Sequence, residues 1–428
     1  MLCYDNSNNH DDGDKYSTVT TPIKQSHDIL ILDGGVSTFL EQLLKEDTCH
    51  DPINTTYSEN SIETTDGTNR SSDCCGFQHR SIWSSSLLLN LKGQAYIQSA
   101  HDAFYNAGSD IISTVTYQLS HHICRDKQQS HHHHYDQVGK GTGNDELNLS
   151  RKDVDDLLRL GVQLAYEVKL NKMKLREMKQ NQMESSSLYI VVSLGCFGAC
   201  LADGSEYRGN YGKSAQELMM FHERRYNTIM DLHSDTTSPT NVDGIAFETV
   251  PCALEVEAII NVLKERKVKM KNIKNCDNDV AVWLSLACKD EASLNDGSSL
   301  SRVLDSIELL DDQGLIHGIG VNCFNIKYTQ CLTETIAKHQ VMSETNRAIL
   351  FYPNSGEEWD ASNETWLEGS GCSDADEFAQ QMMYSVKSVQ ALFKQENRSS
   401  RIIIGGCCRT SPSTIQALRA SVENYENE

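Results

Sequence analysis

The chain has 428 residues, 39% of them hydrophobic, with a formal net charge of -22 at pH 7 and 15 cysteines. So strong an acidic balance excludes a nucleic-acid binder and a protein that docks on anionic membranes; chiefly it keeps a soluble chain soluble. No apolar run reaches the roughly 18–20 residues that cross a bilayer, and the first residues lack a signal-peptide core, so the expected setting is the cytoplasm, with reduced thiols and no disulfide framework.

In chain order, eight short apolar runs read as strands buried on both faces. They are ILILDGG from Ile29, DIISTVTY over Asp110–Tyr117, YIVVSLGC over Tyr189–Cys196 and GIAFET over Gly244–Thr249. The others are VAVWLSLAC over Val280–Cys288, GIGVNC over Gly318–Cys323, AILFYPN over Ala348–Asn354 and RIIIGGCC over Arg401–Cys408. Helical patterns alternate with them, among them VSTFLEQLLKE, GQAYIQSAHDAFYNAG, AQELMMFHERRYNTIMDL and DEFAQQMMYSVKSVQALFKQ. Pro251 is expected at the first position of one helix, and Ser411-Pro412 as cap and first residue of the last. The rhythm predicts an α/β fold, a (β/α)8 TIM-type barrel, rather than an open doubly wound sheet; Asp33-Gly34-Gly35 is not the glycine-rich phosphate loop of the latter. Residues 1–27 are expected to be a polar tail and 28–428 one domain, with polar insertions near 43–80, 119–150, 172–187 and 231–242.

Barrel enzymes carry their chemistry at the C-terminal ends of the strands. Strands six and eight end in Cys323 and in Cys407-Cys408, beside Gly405-Gly406, whose flexibility lets both neighbouring thiols aim one way. Three thiolates suit Zn²⁺, one ion per chain, and leave a fourth tetrahedral position open. A thiol entering that position loses its proton at neutral pH and becomes a nucleophile. The tract His131–His134 sits in low-complexity surroundings and is expected to be a solvated loop. Cys196 and Cys200 read as packing residues.

The segments LDGGVSTFLE, AGSDIISTVTYQ, LADGSEYRGNY, FETVP, GVNC, YPNSGEEWD and GGCCRTSPSTIQALR, spanning residues 29–421, together resemble the homocysteine S-methyltransferase family. The resemblance implies a barrel with one catalytic zinc held by Cys323, Cys407 and Cys408. It implies that Glu248 holds the homocysteine ammonium, with Asp33 beside the same amino acid and Gly34 and Gly35 allowing close backbone approach. Tyr117 would lie near the metal and fill its open position when substrate is absent. Asn322 would orient the neighbouring ligand. The substrates implied are homocysteine and a methyl-sulfonium donor, S-methylmethionine first and S-adenosylmethionine next. The third strand's end, SLGCFGACLADGSEYRG, departs from the family's usual residues near Cys196 and Cys200 and is expected to shape the donor side. Tyr207, Phe197 and Trp359 are either cation–π partners for a sulfonium or core packing. A zinc- or thiol-buffering protein and a catalytically inactive barrel are the rival readings.

Overall fold

A computed structural model of the chain describes residues 29–50, 82–124, 149–178, 188–235, 240, 242–270, 280–357, 359–360, 365–366 and 370–428. Ten strands and ten α-helices are seen among them. The strands are β1 (Ile29–Ile31), β2 (Ile111–Ser113), β3 (Tyr189–Gly195), β4 (Gly244–Val250), β5 (Ala281–Leu286), β6 (Gly318–Asn325), β7 (Ala348–Asn354), a small antiparallel pair β8 (Trp359–Asp360) and β9 (Thr365–Trp366), and β10 (Ile402–Ile404). The helices are α1 (Val36–His50), α2 (Leu91–Asn106), α3 (Arg151–Met178), α4 (Phe197–Leu201), α5 (Ala215–Ser234), α6 (Ala253–Met270), α7 (Leu300–Leu310), α8 (Thr329–Met342), α9 (Ala375–Gln395) and α10 (Pro412–Glu426).

Eight strands form one parallel sheet in the order β1-β10-β7-β6-β5-β4-β3-β2. A parallel bridge between Leu32 and Ile111 brings β1 round to β2, so the sheet curls into a barrel ringed by helices, as the sequence predicts. Alternation along each strand divides the apolar residues. Leu30, Val191, Trp283, Leu350 and Ile403 fill the interior, while Ile29, Ile31, Phe351, Ile402 and Ile404 pack outward against the helices. Gly320 is required inside: a β-carbon there would run into the Leu350 carbonyl.

The strands β1, β2, β5 and β10 are shorter than the sequence suggests, and β2 and β10 stop for a reason. After Ser113 the hydroxyl of Thr114 accepts the Ser193 N–H at 3.1 Å, and that of Thr116 donates to the Ser193 carbonyl at 2.7 Å. Side chains there do what backbone would do in a longer strand. After Ile404 the N–H groups turn toward different neighbours, Gly406 to the Asp33 carbonyl at 3.1 Å and Cys407 to the Pro353 carbonyl at 2.8 Å.

Pro251 is not the first helical residue. Its carbonyl is taken by the Asp296 N–H at 3.1 Å, and α6 starts at Ala253 with the Cys252 carbonyl accepting from Val256. Ser411 and Pro412 do open α10. The helices α1, α3 and α5 run into the starts of three of the expected polar stretches. His121, at the edge of the second stretch, is bonded to Asp155 at 2.6 Å; His131–His134 lie outside the described residues. Among the described residues no helix is long and apolar enough to cross a membrane.

Candidate active site

The three thiols meet because two loops bend toward one another. Cys323 lies in β6 but has φ +55°, the left-handed region, and the register with β7 shifts between Asn322 and Asn325. Such a bulge re-aims a side chain that regular alternation would send elsewhere. Across β7, the turn after Gly405-Gly406 carries Cys407 and Cys408. The sulfurs of Cys323, Cys407 and Cys408 all lie within 4.8 Å of one another, and Cys323 Sγ is 3.9 Å from Cys408 Sγ. Tetrahedral zinc–sulfur bonds of about 2.3 Å place ligand sulfurs about 3.8 Å apart, so this donor set fits one zinc ion. Hydrogen bonds from Cys407 and Cys408, joined by Asn354 and Tyr207, hold the Cys323 thiol well below its usual range, and the hydrogen bonds to Cys323, with burial and its charge adding, raise the other two.

A second bulge lies in β4, where Thr249 has φ +58° and the register with β5 shifts between Phe247 and Val250. Buried Asn322 ties the two bulges together. Its Oδ1 accepts the Thr249 N–H at 2.8 Å, and its Nδ2 donates to Thr249 Oγ1 at 2.8 Å. One side chain therefore sets the spacing between Cys323 and the residue before Thr249, which is Glu248.

Glu248 accepts from Ser193 Oγ on one carboxylate oxygen and from Tyr352 OH, at 3.0 Å, on the other. Burial raises its pKa, and those two donors offset part of the rise. Asp33, at the end of β1, accepts from the Ser113 N–H at 2.6 Å and from Ser113 Oγ at 3.0 Å. Burial pushes Asp33 up to about 8; the Ser113 bonds oppose this and the charge of Glu248 adds to it. Two carboxyls that strain against ionising side by side are matched to a cation.

Every site residue expected from the sequence lines one cavity of about 910 Å³ including its mouth: Asp33, Gly34, Gly35, Tyr117, Glu248, Asn322 and the three cysteines. Among the described residues no lysine, arginine or histidine lines it, whereas Asp33, Glu206 and Glu248 do. The space beside Gly35 is filled by the chain itself, since a β-carbon there would strike the Cys407 carbonyl, and Gly35 N–H donates to Thr410 Oγ1 at 2.9 Å. The N-terminus of α1 opens onto the cavity at Val36–Thr38. Tyr117 shares a hydrogen bond with Thr249, and burial raises its pKa far above the usual phenol range; the hydroxyl bonded to Cys323 is that of Tyr207. Phe197 does not line the cavity: its ring packs 5.1 Å from Phe221 and 5.5 Å from Tyr211. Cys196 and Cys200 are buried beside it, the latter pushed up to about 11 by burial. The side chain of Trp359 is outside the described residues. Sequence reading missed Ser113, Ser193, Tyr352 and Asn354, whose partners are set by register between strands. It also missed Gln118, Glu206 and Trp83.

Fold and site together define a (β/α)8-barrel enzyme whose mouth presents three thiols fit for one metal ion, next to a buried pair of carboxyls. A family model described as homocysteine S-methyltransferase matches residues 30–422. The chain belongs to that family, and so to the methyltransferases. It is 29% identical over 340 residues to homocysteine S-methyltransferase YbgG of Bacillus subtilis (strain 168), covering 79% of this chain and 87% of that protein. It is 30% identical over 344 residues to homocysteine S-methyltransferase 3 of Zea mays, covering 80% and 83%. The metallated crystal structure of the homocysteine methyltransferase MmuM from Escherichia coli superposes with a TM-score of 0.58 at 25% identity, covering 92% of this chain and 96% of that one.

Proposed function

We propose that the chain transfers a methyl group from a sulfonium donor, S-methylmethionine ahead of S-adenosylmethionine, to the sulfur of L-homocysteine, with one zinc ion held by Cys323, Cys407 and Cys408. The observation that carries this reading is the convergence of three thiols within 4.8 Å at a cavity that also holds the Asp33 and Glu248 carboxyls and, among the described residues, is lined by no cationic side chain. The metallated state named for the Escherichia coli relative adds support for a metal here.

When bound, the zinc supplies a Lewis acid that keeps a thiol ionised at neutral pH. The protein does the rest by placement. Glu248, steadied by Ser193 and Tyr352, and Asp33, steadied by Ser113, take the homocysteine ammonium. The N-terminus of α1, which opens onto the cavity at Val36–Thr38, suits the carboxylate of an amino acid. Asn322 keeps Glu248 and Cys323 in register, so sulfur and ammonium are held at a fixed span. Thiolate and sulfonium become two neutral sulfurs, so charge disappears as the methyl moves, and a cavity that excludes water favours the step.

The test is methionine formation by purified zinc-loaded protein with homocysteine and each donor in turn, alongside metal counting. One tight zinc per chain and methionine from a sulfonium donor are expected. Several weak ions with no methionine would mark a buffering protein, and one tight ion with no methionine from either donor an inactive barrel.

A further inference from the structure

Two hydrogen-bond acceptors in the cavity are buried without a partner among the described residues: Glu206 Oε2 and Gln118 Oε1. Gln118 is only 8% exposed, and its Nε2 donates to the Ala199 carbonyl of α4 at 3.1 Å, which leaves the amide oxygen unused. Glu206 is anchored through its backbone against the same helix. Gly198 of α4 gives it room, since a β-carbon there would stand 2.5 Å from Glu206 N, and Asn295 Nδ2 donates to the Glu206 carbonyl at 2.8 Å. The Gln118 side chain and the Glu206 backbone are thus held against α4 and Asn295 before any ligand arrives. Leaving a buried acceptor without a partner is costly, so the two favour a ligand that brings N–H donors.

The chemistry of the donors narrows the ligand. A sulfonium has no N–H, whereas an ammonium has three. The acceptor's ammonium already has its place at Asp33 and Glu248. Cys323 lines the same cavity as Glu248 of β4 and Glu206 of the turn that follows α4. The reacting sulfur would therefore share one cavity with two sites for cations. We propose that Glu206 and Gln118 seat the α-ammonium group of the methyl donor, making this a site for sulfonium amino acids rather than for sulfonium or betaine-type cations that lack N–H. The proposal rests on the methyl-transfer reading above. In the step, the homocysteine sulfur forms a bond to the methyl carbon as the donor S–CH₃ bond breaks. The electron pair returns to the donor sulfur, which becomes a neutral thioether, and no proton moves. An ammonium keeps its charge throughout, so its seat strengthens donor binding without opposing the loss of charge at sulfur.

The experiment compares S-methylmethionine with its des-amino analogue, 4-(dimethylsulfonio)butanoate, on parent and Glu206→Gln. Donor kcat/KM is measured at saturating homocysteine, and equilibrium binding of each donor to the zinc-loaded protein by calorimetry. The parent should prefer S-methylmethionine by about 10- to 100-fold in both readouts. In Glu206→Gln the preference should shrink to about threefold or less, through donor KM rather than kcat, while zinc content and the homocysteine dissociation constant stay within about twofold of the parent. An unchanged preference in the variant overturns the seat, as does a parent that does not distinguish the two donors. A loss falling on homocysteine rather than on the donor overturns it too. If the binding preference is present and lost as expected but no methionine forms, the seat stands and the methyl-transfer reading falls.

Discussion

At the residue scale, each site group has a partner whose loss is specific. Cys323→Ala, Cys407→Ala and Cys408→Ala should each lose most of the zinc and essentially all turnover, because two thiolates cannot close the set. Cys196→Ala at the N-cap of α4 and Cys200→Ala within α4, both buried and outside the thiol cluster, should keep their zinc. Metal analysis after dialysis decides this; any member of the trio that keeps full metal and activity when removed is not a ligand. Glu248→Gln preserves shape and removes the charge. A charge-assisted hydrogen bond in a partly desolvated site is worth roughly 2–4 kcal/mol, so homocysteine kcat/KM should fall about 30- to 1,000-fold with zinc still bound. A simple thiol lacking the amino group should be a poor acceptor for the parent and little affected by the change. Normal kinetics with homocysteine, or loss of zinc, would remove Glu248 from the ammonium site. The cysteines stand out in the sequence because the apolar runs place them at strand ends beside Gly405-Gly406, and Glu248 because its segment FETVP resembles the family. Ser193 and Tyr352 do not, because their meeting at Glu248 depends on which strands become neighbours.

At the scale of elements, the site is built from departures from regular strand. The sequence places all eight barrel strands, since their apolar runs are nearly continuous, yet it extends β2 and β10 too far. In TVTY the alternation persists while threonine hydroxyls replace the ladder, and in GGCC glycine frees the chain to leave it. The bulges at Thr249 and Cys323 carry no sequence signal at all, for neither residue is glycine and both adopt positive φ. What holds them is Asn322, read from the sequence only as a neighbour that orients a ligand. Asn322→Ala leaves the buried Thr249 N–H unpaired, which should cost about 1–3 kcal/mol of stability. It should also release the Cys323 bulge and weaken zinc about 10- to 100-fold, in the range seen when a group supporting a metal ligand is lost. Chelator competition and denaturant melts measure the two effects separately. A variant less stable but with parental zinc affinity would show that the tie serves folding alone.

At the scale of the whole molecule, two buried groups give the metal-free protein a pH dependence of opposing signs. Asp33 is raised from 3.8 to about 8, so between those values the folded state binds one proton more than the unfolded chain, and stability falls as pH rises. His101 in α2 is fully buried with neither ring nitrogen hydrogen-bonded, and burial lowers it from 6.5 to about 4. Between those values the unfolded chain binds one proton more, so stability falls as pH drops. The two slopes oppose each other from about pH 4 to 6.5, and only that of Asp33 continues to about pH 8. Other titrating groups overlap both windows, so the test compares each variant with the parent under the same conditions. Asp33→Asn should gain stability relative to the parent as pH rises from 4 to 8, by about 1.4 kcal/mol per unit. His101→Leu should gain relative to the parent as pH falls from 6.5 to 4, and show no such trend above that window. Urea melts of chelated protein at half-unit intervals provide the curves. An ammonium held by Asp33 also lowers its pKa, so homocysteine binding near pH 7 should release up to about one proton more in the parent than in Asp33→Asn, beyond the thiol proton that both give up to the zinc, visible as a difference in the buffer-dependent heat of binding. Parallel pH curves for parent and Asp33→Asn would mean that the carboxyl is ionised in the folded protein, and the cavity would then greet the ammonium with a charge already in place.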